Sequence, residues 1–379
     1  MKPQGELLVL AAGRLSQGRY GGSLAGQGAV QLGVAAVRGL MTDPTLPAPG
    51  RVYWGMARSH TQGMNPARTI ALGAGLGTAC LGSTLNMACA SSLEAVFIAG
   101  QALSLGFPHP ILAGGSEAMS DTPHLLPALR WGFGKGHRKL PDVMHQDGLR
   151  CPVTGLLMGE TIEQLVAKRG ILRTEADAYA LESHRRAAAA DFAPERLAHP
   201  LLNHDECIRP YVSLEELQAL PPVFNPAGQV TAGNASALSD GAAALLLARP
   251  DQGDTQPPLA RILAWSEAGL DPMDMGEGPV FAVRALLEET SLKVSDIHLW
   301  ELNEAFAAQV LCCARQLELP LDRLNVAGGG ISLGHPIGAS GARILVTLIH
   351  QLRLRDGGLG IATLGIGGGV GQAVLVEVR

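Results

Sequence analysis

The chain alternates short apolar runs with longer stretches in which apolar residues return every third or fourth position. Apolar runs at 6–12, 51–54, 84–88, 110–115, 242–248, 297–302 and 359–364 read as β-strands. Helical spacing over 25–40, 65–76, 281–289, 305–317 and 344–352 predicts α-helices, as do Leu93, Val96, Phe97 and Leu103 after the third strand. Strands alternating with helices imply crossover connections and a mostly parallel sheet covered on both faces. The beat stops between Ser116 and about Val230, where Pro, His and charge rise. Two helices are expected there, over 159–168 and from a Thr174-x-x-Asp177 cap to Ala190. The organisation that follows is an α/β half at 1–116, an inserted lobe at 117–230, residues 231–250 returning to complete the first half, and a second half at 251–379. The loop at 251–258 marks the boundary. Strand ends followed by glycines occur in both halves, at Gly114-Gly115 and Gly367 to Gly369, and so does a strand–turn–helix corner, at Cys89 and at His335. A duplicated α/β architecture is expected, with a site where the halves meet.

Composition narrows the function classes. The 379 residues are too many for one simple core. A hydrophobic share of 47%, 48 glycines and a net charge of −5 suit a packed α/β protein, and argue against a nucleic-acid or anionic-membrane partner. The apolar run at 7–12 is shorter than a signal-peptide core and reads as a first strand, and no run reaches a membrane span. Six cysteines (80, 89, 151, 207, 312 and 313) lack CxxC spacing, so free thiols in a reducing, cytoplasmic setting are expected. No His/Cys/Asp cluster has metal-ligand spacing.

The chemistry concentrates at residues 83–105. A strand-like run stops at Cys89, and Ser91-x-x-Glu94 is a capping-box signal for the helix that follows. A helix N-terminus favours a thiolate and can bind an oxyanion, so Cys89 reads as a nucleophile with a depressed pKa. A small buried core cysteine fits that stretch equally well. Asn303-Glu304 at a strand end could orient a water or carbonyl, or could simply cap a helix. Pro336 biases His335 toward an extended backbone, and the glycines around it permit close approach of a ligand, which suits an acid/base or oxyanion donor.

Five segments together resemble the thiolases, CoA-dependent acyltransferases: the Cys89 stretch; Thr231 to Ser236 with Asp240 to Ala244; Asn303-Glu304-Ala305-Phe306; Gly334 to Gly341; and Gly367 to Gly371. They occur in family order over nearly the whole chain. The resemblance implies a duplicated five-layered α-β-α-β-α fold with an inserted loop domain that binds CoA. It implies Cys89 as the acyl-accepting nucleophile and His335 as its activator. Asn303 would hold an oxyanion-hole water, and the N–H groups of Cys89 and Gly367 would form a second hole. Acyl-CoA and CoA would be substrates without a further cofactor, and a homodimer or homotetramer active in fatty acid metabolism and β-oxidation is implied. Met158 and the basic stretch with Arg138 and Lys139 would contact CoA.

Departures from the pattern set the open questions. Gly365 occupies the family's second catalytic cysteine position, which carries the α-proton in carbon–carbon chemistry. A water or Cys312 or Cys313 could replace it, or the chain could be an acyltransferase or acyl-CoA-binding protein without efficient carbon–carbon chemistry. Leu157 replaces a histidine frequent in acetoacetyl-type members, and Ala264 stands where a pantetheine-contacting serine is expected. Ala90-Ser91-Ser92 replaces glycines after the nucleophile.

Overall fold

The computed structural model describes residues 1–252 and 257–379, so part of the expected boundary loop at 251–258 lies outside the described residues. The first half contains β1 (Leu7–Arg14), β2 (Gly18–Arg19), α1 (Ala29–Leu40), β3 (Arg51–Gly55), α2 (Pro66–Gly73), β4 (Leu81–Leu85), α3 (Ser91–Ser104) and β5 (Ile111–Ala118). The lobe between β5 and the returning strand carries α4 (Met158–Arg169), α5 (Arg173–Ala189) and α6 (Leu214–Gln218). The chain then re-enters the first half as β6 (Ser239–Ala248). The second half contains β7 (Ala260–Gly269), α7 (Gly278–Thr290), β8 (Leu299–Leu302), α8 (Ala307–Leu317), α9 (Gly330–Leu333), α10 (Ser340–Arg353), β9 (Gly358–Ile366) and β10 (Val370–Val378).

The sheet order is β4-β3-β5-β6-β1-β7-β10-β9-β8, with β2 alongside β6. The halves join edge to edge at β1 and β7, through Leu7 opposite Ile262, Leu8 opposite Arg261 and Val9 opposite Ala260. The expected mostly parallel sheet is not what forms. Among the described strands, β3 with β4, β3 with β5, and β8 with β9 are parallel, and the remaining ladders are antiparallel. Two strands absent from the sequence reading, β7 and β10, account for much of the difference. The Gly367-Gly368-Gly369 segment turns β9 directly into β10 as a hairpin, where the spacing had implied only a loop, and a hairpin makes an antiparallel pair.

The pleat explains the five layers. Along β6, Leu245 and Leu247 enter one core while Leu246 enters another. Along β10, Val374 and Val376 enter the first of these, and Ala373 and Leu375 a third. Alternate side chains of one strand thus serve two apolar layers. The central layer packs Leu93 and Phe97 of α3 with Ile344 and Leu348 of α10, between the two half-sheets. The outer layers seat α1 and α2 on the first half (Leu32, Val37, Ile70) and α7 and α8 on the second (Val280, Leu286, Val310). Buried polar contacts tie the lobe to this body. Arg14 of β1 pairs with Glu195 and with Asp205, the latter at 2.7 Å. The caps of α2 and α5 are built differently. Asn65 caps α2, accepting from Arg68 N. The α5 start is closed by Glu175, which accepts from Leu172 N, while Asp177 takes Arg173 and the Asn234 amide instead.

Candidate active site

The two helices of the central layer begin at the same place. Before α3 lies a one-turn 3₁₀ segment, Ala88–Ala90, and before α10 another, Ile337–Ala339. Cys89 sits inside the first, and His335 two residues ahead of the second. The Cys89 turn is tight enough to hold Ala88 in the left-handed region at φ 47°, a conformation that costs a side-chain-bearing residue free energy. Asn86 secures it by accepting from Ala88 N at 2.9 Å. The expected capping box is absent. Ser91 instead accepts from Met87 N and donates to the Ala88 carbonyl, clamping the turn itself, and Glu94 is engaged by Gln372. At the other corner Gly334 has φ +101°, and a Cβ there would come within 2.6 Å of the Ser239 hydroxyl. Only glycine fits that approach. Glu117, near the end of β5, ties the His335 corner to the segment after β3 by accepting from the backbone N–H groups of Ala57, Arg58 and Gly338.

These corners open on one cavity of about 170 Å³ that brings together Cys89, His335, Gly365, Gly367 and Met158. Asn303, at the end of β8, adjoins it through His335: its Nδ2 lies 3.5 Å from the imidazole Nε2. The Asn303 Oδ1 is buried without a partner, an acceptor open to a water or a donor from a substrate. Glu304 does not share the site. It turns away to accept from the Tyr179 hydroxyl, the Ser183 hydroxyl, Asn325 Nδ2 and Ile331 N, anchoring the lobe to the second half.

Ala264 is a correction. It lies on β7 in the outer apolar core of the second half, among Val280, Ala282 and Val283, away from the cavity. The serine that does line the cavity is Ser236, at the end of the Thr231–Ser236 motif. Nothing in the spacing of that motif marks its hydroxyl for the site. The cavity also takes in Met275, Phe306 and Cys151, which the sequence reading gave no site role. Arg138 and Lys139 are on the exposed part of the lobe, where Arg138 donates to the Phe133 carbonyl.

Electrostatics revise the expected thiolate. Desolvation is the largest influence on the Cys89 thiol and pushes it up to about 11. The N–H groups of Gly367 and of Cys89 itself and the nearby Arg58 guanidinium favour the thiolate without prevailing. At rest Cys89 is therefore a thiol, and a base is needed to ionise it. His335 is suited to that. Burial, aided by the charges of Arg343 and Arg58, lowers its pKa to about 3, so the imidazole is neutral. Ser340 fixes its tautomer: the hydroxyl donates to the Pro336 carbonyl at 2.9 Å and so accepts from His335 Nδ1–H. Nε2 keeps the lone pair, with the Asn303 amide nitrogen 3.5 Å away as its neighbour.

Gly365 has a packing reason. A Cβ there would stand 2.8 Å from the Met275 carbonyl oxygen, so a side chain requires the Pro272–Glu277 turn to move. Neither cysteine weighed as a substitute lines the cavity. Cys313 is held against the Gly276 carbonyl, and Cys312 against Glu277 and Gln316, with both thiols pushed up chiefly by burial.

Comparison with known proteins agrees with this geometry. Residues 7–251 match the thiolase N-terminal domain and residues 256–378 the thiolase C-terminal domain. The chain is 42% identical to an acetyl-CoA acetyltransferase of Chromobacterium violaceum, over 98% of this chain and 99% of that protein. It is 40% identical to an acetyl-CoA acetyltransferase of Escherichia coli over 98% of each. Among solved structures, the Bacillus anthracis acetyl-CoA acetyltransferase superposes with a TM-score of 0.95 at 37% identity, covering 100% of both chains. Human mitochondrial 3-ketoacyl-CoA thiolase in complex with CoA gives 0.96 at 35% identity, covering 100% of this chain and 99% of that one. Two matched domains, relatives aligned from end to end and a shared fold converge on one assignment: the chain belongs to the thiolase family of acyltransferases.

Proposed function

We propose that the protein moves acyl groups between CoA thioesters through an acyl-Cys89 intermediate, by thiolysis of a 3-ketoacyl-CoA and, in reverse, by condensation with acetyl-CoA. The observation that carries this is the one small cavity where Cys89, His335 and Gly367 meet, with His335 neutral and the Gly367 and Cys89 N–H groups favouring the thiolate. His335 Nε2 takes the Cys89 proton as the sulfur attacks a carbonyl carbon, the 3-keto carbon in thiolysis or the acetyl-CoA thioester carbon in condensation. In that first step, the imidazolium so formed and a water held by Asn303 stabilise the developing oxyanion. In the second, the N–H groups of Cys89 and Gly367 stabilise the tetrahedral intermediate that resolves the acyl-enzyme.

The lobe would hold CoA, with Met158 and Ser236 along the pantetheine and the basic stretch at 130–139, including Arg138 and Lys139, near the phosphates. The relatives' names favour an acetyl-sized acyl group. A cytoplasmic homodimer or homotetramer serving fatty acid metabolism through β-oxidation completes the reading. Incubation with acetoacetyl-CoA, acid quench and peptide mass spectrometry should find an acetyl group on Cys89, released as acetyl-CoA when CoA is added. An adduct on Cys312 or Cys313 instead, or none, overturns the proposal.

A further inference from the structure

Carbon–carbon chemistry needs a proton carrier beside the substrate α-carbon, and Gly365 has no side chain to provide one. Cys151 has the chemistry and the position. It lies in the stretch of the lobe leading to α4, between Leu149 and Pro152, and lines the same small cavity as Cys89, His335 and Gly365. It shares that cavity with Gly365 and Gly367 of the β9–β10 hairpin, and the N–H groups of Thr154, Val153 and Gly368 and the Thr154 hydroxyl favour its thiolate. Among the described residues it is the other cysteine of this cavity besides Cys89.

We infer that Cys151 is the proton carrier for the α-carbon, reaching the site from the lobe to do what position 365 cannot. The inference rests on the acyl-Cys89 reading above. In condensation the Cys151 thiolate takes a proton from the methyl group of the incoming acetyl-CoA. The C–H electron pair becomes the bond to the acyl carbon held on Cys89, and collapse of that adduct expels the Cys89 thiolate. In thiolysis the steps reverse. Cleavage of the carbon–carbon bond leaves its pair on the α-carbon, and the Cys151 thiol delivers the proton there. The surroundings favour such shuttling. Burial pushes the thiol up, but the four donors together outweigh it and hold it below the ordinary thiol value. By that measure Cys151 yields its proton more readily than Cys89, which suits the division of labour between a base and a nucleophile.

The test separates the half-reactions in Cys151→Ala and in the near-isosteric Cys151→Ser. Acetyl-Cys89 formation from acetyl-CoA, which breaks no carbon–carbon bond, is read by quench and mass spectrometry, and α-proton transfer by deuterium uptake into the acetyl-CoA methyl group in D2O. The inference expects both variants to acetylate Cys89 at close to the wild-type rate, while deuterium uptake and thiolysis fall by about 10²–10⁴-fold. Uptake that persists in Cys151→Ala assigns the proton to another group and overturns the inference. So does parallel loss of acetylation and uptake in both variants, which marks Cys151 as structural. Failure of the wild-type protein to acetylate Cys89 is a different result, and sinks the acyl-enzyme reading itself.

Discussion

The corners at Cys89 and His335 are built alike and used differently. Each places a 3₁₀ turn before a 14-residue helix, and each helix opens with a serine that donates back to a carbonyl of the turn, Ser91 to Ala88 and Ser340 to Pro336. The second bond of each serine differs. Ser91 accepts from the Met87 backbone, so it holds the chain, whereas Ser340 accepts from the His335 ring, so it holds a side chain and its tautomer. The two halves share one scaffold, and a shift of the functional residue from inside the turn to just ahead of it places the proposed nucleophile in one half and its proposed base in the other.

The comparison breaks most decisively at His335. His335→Ala should slow acylation of Cys89 by roughly 10²–10⁴-fold in a protein that still folds, the contribution of a positioned base. Rapid-quench acylation checks it, and an unchanged rate would leave the imidazole a packing role. The next effect concerns pH. With the Cys89 thiol near 11 and His335 near 3, the pair is neutral at rest. The thiolate fraction, and with it the rate of alkylation by iodoacetamide at Cys89, should climb about tenfold per pH unit from pH 7 toward 10. A plateau below pH 7 would instead reveal a preformed thiolate–imidazolium pair. The smallest effect sharpens the contrast between the serines. Ser340→Ala leaves Nδ1–H without an acceptor and should slow acylation by about 10–10²-fold, while Ser91→Ala should cost about 1 kcal/mol of stability and little rate. Equal kinetic losses in the two variants would erase the distinction drawn between them.

These contrasts also show what is legible in a sequence. Helix and strand positions in both halves followed from periodicity, because each element buries a regular face. The corner at Cys89 was equally plain, since an apolar strand stopping before an S-x-x-E start has few other outcomes. The capping roles were not. Ser91 and Glu94 found tertiary partners, in the turn and in Gln372, that outcompete the local box. The depressed Cys89 thiol failed for the same reason: a helix terminus is local, but the desolvation that outweighs it comes from tertiary packing around the sulfur. Ser236 and Cys151 were invisible as site residues because they sit on loops without period, and only the fold carries them to the cavity. Strands β7 and β10 hid behind polar and glycine positions that a buried strand tolerates when both faces are covered.

The placement of β6 bears on how the molecule is made. It is hydrogen-bonded between β5 and β1, yet the whole lobe at 119–238 precedes it in the chain. During synthesis β1, β3, β4 and β5 leave the ribosome with the centre of their sheet missing, and closing so long a loop defers the pairing that seals it. Until residues 239–248 arrive, β1 and β5 present open edges of the kind that invite aggregation. The half that carries the nucleophile is therefore the one a chaperone has most reason to meet.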